Sequence, residues 1–86
     1  MELEKDFKKA AERVKKLNKK PSDEILLKIY GLYKQATEGP LKSKEPSTFD
    51  FKAKAKWNAW KKESKLSKEE AMKKYIYLVK KLEKID

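Results

Sequence analysis

Eighty-six residues suffice for one domain around one hydrophobic core and are too few for two. Lysine and arginine number 24 against 14 acids, a formal charge of +10 that favours anionic partners: nucleic acid, anionic lipid or a phosphorylated metabolite. Cysteine and histidine are both missing, which removes disulfides, thiolate chemistry and the commonest metal ligand and general base, and argues against zinc or hydrolytic chemistry.

The opening "MELEKDFKKA" holds no long apolar run and no window reaches transmembrane length, so a cytoplasmic location is expected. Charged residues make up 44% of the chain, yet apolar ones recur at regular intervals throughout, which argues against disorder.

The spacing of Leu3, Phe7, Ala10, Ala11, Val14 and Leu17 predicts a first helix over Leu3 to Leu17. Asn18 and Pro21 interrupt it, and Ser22 can cap a second helix from Asp23 to Thr37, with Asp23 and Glu24 suiting its positive end. Leu26, Leu27, Tyr30, Tyr33 and Ala36 form its expected apolar surface, flanked by Ile29. Gly39 and Pro40 end it. Gly31 inside it costs roughly 1 kcal/mol against alanine, so it marks either a close neighbour or ligand, or a tolerated surface glycine.

A loop, "EGPLKSKEPSTFD", leads to Asp50, which can cap a third helix running through Glu63, with Phe51, Ala55, Trp57, Ala59 and Trp60 as its apolar residues. Ser67 and Glu70 form a capping box for the fourth helix. Its stripe is Ala71, Met72, Tyr75, Ile76, Leu78, Val79 and Leu82, with Ile85 one turn further. Four amphipathic helices can share a core that none could form alone.

Lys52 and Lys56 emerge on one side of the third helix, and Tyr30 lies one turn before Lys34 on the second. If packing brings these together, charge for a phosphate, ring surface for a base and a hydroxyl for orientation coincide. The same lysines also read as a solvated face, the tyrosines as core packing, and Trp57 and Trp60 as packing groups. The acid pairs Asp23/Glu24 and Glu69/Glu70 fit helix starts rather than acid/base chemistry, and no glycine-rich phosphate loop is present.

Three stretches, "KPSDEILLKIYGLYKQATEG", "DFKAKAKWNAWK" and "SKEEAMKKYI", together resemble the acyl-coenzyme A-binding protein family, called the diazepam-binding-inhibitor family in animals. The resemblance runs from about Leu3 to Leu82. It implies an all-α, up-down-down-up four-helix bundle forming an open cup, a single domain over residues 1–86. It also implies non-enzymatic binding, buffering and transport of medium- and long-chain fatty acyl-coenzyme A, which is bound as ligand with no separate cofactor.

By the same resemblance the ligand-binding positions are Lys15, the segment Tyr30, Gly31, Leu32, Tyr33 and Lys34, then Lys52, Lys56 and Tyr75. Tyr30, Lys34 and Lys56 would organise the ribose 3'-phosphate, Tyr75 would contribute to adenine recognition, and Lys15 and Lys52 would meet the rest of the polar head. The acyl tail would cross an apolar groove near Ala11, Leu27 and Tyr33. Leu32 stands where the family often has histidine, Ala53 where it often has glycine, and Pro40 replaces a polar start to the central loop.

The expected partners are therefore the thioester itself, with transient contact to enzymes that use it or to membranes, no specific nucleic acid, and a monomeric chain. The rival readings are a nucleic-acid-binding module, a purely structural or partner-binding bundle, and an enzyme acting on the thioester.

Overall fold

Each helix begins where the chain supplies a cap or a first-turn acid. The protein is described by a computed structural model covering residues 2–86; residue 1 of the expected 1–86 domain lies outside the described residues. Among them are four helices, α1 (Glu2–Val14), α2 (Asp23–Glu38), α3 (Phe51–Lys62) and α4 (Lys68–Ile85), and no strand, in the up-down-down-up order of the expected all-α bundle.

Ser22 Oγ accepts from the Ile25 amide, and Asp50 Oδ1 from the Ala53 amide. The capping box of α4 is complete: the Glu70 amide donates to Ser67 Oγ, and Glu70 Oε1 accepts from the Ser67 amide. Gly39 closes α2 at a positive φ of 81°, its amide donating to the Gln35 carbonyl.

The first helix is shorter than its apolar period. The chain tightens after Val14 into i to i−3 bonds, Lys15 to Glu12 and Lys16 to Arg13, and the amides of Asn18 and Lys19 then donate to the Asp86 carboxylate. Those donors are spent on the end of α4, so Leu17 packs against the core from a turn.

The core unites Phe7 and Ala10 of α1, Ile29, Leu32 and Ala36 of α2, and Ala71, Tyr75, Val79 and Leu82 of α4. This corrects the apolar face expected for α2: Leu26, Leu27 and Tyr30 are only half-buried and Tyr33 is 42% exposed. So many apolar residues surround α2 that its moment does not single out the face the neighbours select. Ile85 (72% exposed) and Phe51 (78%) likewise stand outside the packed stripes expected for them.

α2 packs on both α4 and α3, and α1 packs on α4, whereas no α-carbons of α1 and α2 come within 8 Å of each other. The gap between α1 and α2 opens a groove. At the α2–α3 crossing the helices nearly touch, because a β-carbon on Gly31 would lie 2.3 Å from the Ala59 carbonyl oxygen. Of the two explanations open for Gly31, the close neighbour is therefore the right one, and that neighbour is a backbone.

Beneath the crossing, Gln35 is fully buried. Its Nε2 donates to the Leu66 carbonyl and its Oε1 accepts from Trp60 Nε1. The chain from 39 to 50 lies along α3: Trp60 Nε1 donates to the Gly39 carbonyl, Trp57 Nε1 to the Ser43 carbonyl, and Lys54 pairs with Glu45. The indoles thus pack as expected and also fasten the long loop.

A candidate ligand site at the meeting of α1, α2 and α3

Two cations are held on aromatic faces. Lys56 Nζ of α3 stands 5.5 Å from the Tyr30 ring centroid, and Lys34 Nζ of α2 stands 4.9 Å from the Trp60 ring. Tyr30 and Lys34 share one face of α2 by their four-residue spacing, so the α2–α3 crossing at Gly31 brings Tyr30, Lys34 and Lys56 into one cluster. Lys34 is also paired with Glu38, one turn on. That hydrogen-bonded carboxylate holds the Lys34 pKa above the ordinary lysine value, so the ammonium stays charged at neutral pH.

Beside this cluster a groove of about 630 Å³ runs between α1 and α2, over Phe7, Ala11, Val14, Tyr30, Tyr33 and Tyr75, with Lys15 at its edge. Its floor is a three-ring cluster: Phe7 stacks on Tyr33 at 5.6 Å and meets Tyr75 edge-on at 5.0 Å, and Tyr33 lies 6.1 Å from Tyr75. Tyr75 is 2% exposed, and its burial, reinforced by Tyr33, pushes its phenol up to about 12, so it remains protonated. Tyr33 offers the more open ring.

A second cleft, about 650 Å³, opens beside the α2–α3 crossing and is lined by Leu27, Ala55 and Ala59, with Lys28, Asn58, Lys62 and Glu63 at its polar parts. The nearly buried Glu63 pairs there with Lys28 at 3.0 Å. Of the three residues expected along one acyl groove, Ala11 and Tyr33 therefore line the first groove and Leu27 the second, on either side of α2.

Two further expectations need correcting. Leu32, at 1% exposure, is a core residue and offers no surface to a ligand. Gly31 is covered by α3, so its part is to let the helices close up rather than to meet a ligand. Lys52 stays exposed one turn before Lys56, and Lys15 lies just past the end of α1. Phe7 and Trp60 belong to the site but were expected only in packing roles. Glu38, expected at the start of the loop, instead ends α2 and pairs with Lys34; their i, i+4 spacing is the sequence signal for that pair.

The family model described as "Acyl CoA binding protein" matches residues 4–79. An acyl-CoA-binding protein of Brassica napus is 52% identical over 82 residues, covering 95% of this chain and 89% of that protein. The enoyl-CoA delta isomerase 2 of Rattus norvegicus is 50% identical over 74 residues, 86% of this chain but only 19% of that protein. The crystal structure of Oryza sativa acyl-CoA-binding protein 2 superposes with a TM-score of 0.95 at 46% identity, covering 99% of this chain and 92% of that one. With a family model spanning most of its length and a half-identical relative matched almost end to end, the chain belongs to the acyl-CoA-binding protein family.

Proposed function

We propose that this chain is a non-enzymatic carrier that binds, buffers and transports medium- and long-chain fatty acyl-coenzyme A thioesters. Family membership supports the ligand class. The observation that carries the site is the convergence of Lys34, Lys56 and Tyr30 beside a groove floored by aromatic rings. The ammonium groups take the ribose 3'-phosphate through charged hydrogen bonds, and the Tyr30 hydroxyl orients it. Tyr33 offers the adenine an exposed aromatic face, and Tyr75, buried beside it, supports that ring from the core instead of meeting the base as expected. Lys15 and Lys52 reach the remaining phosphates and linker.

With the aromatic groove and Ala11 given to the head, the tail runs on the other side of α2, past Leu27 and Ala55. Covering about 100 to 200 Å² of acyl surface contributes about 2.5 to 5 kcal/mol before ordering costs. In this division the head sets identity and the tail adds affinity. Binding of this kind needs neither a nucleophile nor a general base on the protein, and it needs no separate cofactor. We place the chain in the cytoplasm as a monomeric single domain, in transient contact with enzymes or membranes that supply and take the thioester.

Titration calorimetry against palmitoyl-coenzyme A, free coenzyme A and palmitate tests the reading. One-to-one binding that prefers the thioester is expected. Equal binding to an unrelated polyanion would reduce the site to general electrostatics, and catalytic turnover of the thioester would overturn the carrier assignment.

A further inference from the structure

We propose that Glu38 competes with the ligand's 3'-phosphate for Lys34, and so limits how tightly this chain holds its cargo. The inference rests on the head-site reading above. Lys34 and Lys56 are the two cations of the cluster, and Glu38 is the carboxylate bonded to one of them. A phosphate approaching Lys34 must displace that carboxylate or sit beside it against like charge.

The location of Glu38 strengthens the argument. It is the last residue of α2, where the helix dipole disfavours an acid, and no basic residue occupies that turn to offset it. Its backbone is fixed by the Gly39 cap, whose amide bonds to the Gln35 carbonyl and whose carbonyl accepts from Trp60. Trp60 is also the ring on which Lys34 rests. The carboxylate is thus anchored within reach of Lys34, at a position where it works against its own helix. A carrier has to release its cargo, and an internal competitor for the phosphate-binding cation favours release.

Replacing Glu38 with glutamine keeps the shape and removes the charge, and the half-exposed side chain leaves the fold intact. Palmitoyl-coenzyme A and its 3'-dephospho analogue are titrated into the wild-type chain, Glu38→Gln, Lys34→Gln and the double variant. Glu38→Gln is expected to bind the 3'-phosphorylated ligand about threefold tighter, the scale of a solvent-exposed ion pair, with the dephospho ligand unchanged and the gain abolished once Lys34 is removed.

Unchanged or weaker binding by Glu38→Gln, while the wild type still prefers the 3'-phosphorylated ligand, would overturn the inference. So would a gain that persists without Lys34 or that is equal for both ligands, since either marks general repulsion. A wild-type chain that does not distinguish the two ligands would instead overturn the head-site reading beneath it.

Discussion

Gly31 and Ala59 bring α2 and α3 into backbone contact, with the Ala59 carbonyl oxygen 2.3 Å from the place a β-carbon on Gly31 would occupy. Both partners are main chain, so neither can rotate away. Although alanine is the better helix former by roughly 1 kcal/mol, Gly31→Ala is expected to destabilise the protein by about 1 to 3 kcal/mol as the helices are forced apart. Urea unfolding measures this, and an unchanged or raised midpoint would contradict the close crossing.

Gln35 is the polar residue at the centre of the junction between α2, Trp60 and the turn before α4. Gln35→Leu fills nearly the same volume but leaves the part-buried Leu66 carbonyl without its donor, at an expected cost of about 1 kcal/mol. Trp60 Nε1 keeps its bond to Gly39, so the loop should stay in place while global stability falls. Equilibrium unfolding combined with exchange of the Trp60 indole proton separates the two effects.

Acid should weaken the fold through identifiable carboxylates. The amides of Asn18 and Lys19 hold the Asp86 carboxyl below its usual range, and the Ser67 amide does the same for Glu70. A carboxylate lowered in the folded state adds stability above its unfolded pKa of about 4, and that contribution disappears as pH falls through the lower folded value. Asp86→Asn is therefore expected to lower Tm at neutral pH and to converge on the wild type in acid. A gap in Tm that stays constant from neutral pH to about pH 2 would argue that the staple is not electrostatic.

Lys56 stands exposed over Tyr30 and takes no part in the core, so removing its charge tests the head site without disturbing the bundle. Lys56→Gln is expected to weaken palmitoyl-coenzyme A binding by about tenfold, near 1.4 kcal/mol, and to affect the 3'-dephospho analogue much less. Equal losses for both ligands would move Lys56 away from the 3'-phosphate.

Local chemistry was the most legible part of the sequence. Ser67 and Glu70, Asp50, and Gly39 mark helix ends that depend on neighbours within four residues, and the structure places these boundaries within a residue of expectation. The end of α1 is harder to read because the amides just beyond it, those of Asn18 and Lys19, bond to Asp86, more than sixty residues away. The core face of α2 differs from expectation for a related reason: Leu26 and Leu27 are as apolar as Ile29 and Leu32, the rings of Tyr30 and Tyr33 can also pack, and only the neighbouring helices choose between them. In the site, Tyr30 and Lys34 could be paired by one helical turn, whereas Lys56 joins them through the α2–α3 crossing. Leu32 sat inside a resembling motif, and a motif does not say which of its residues face inward.

The double duty of Trp60 gives the protein its own optical reporter. The same indole donates to Gly39 and Gln35 and carries Lys34 on its face, so a ligand that draws Lys34 away alters the electric field across the chromophore while its hydrogen bonds keep the ring in place. Trp57, about one turn earlier on α3, is comparably tied to the Ser43 carbonyl and carries Lys61 on its ring. Emission from a Trp57→Phe variant would then follow the charge next to Lys34 itself, turning a loop anchor into a direct readout of head-group occupancy.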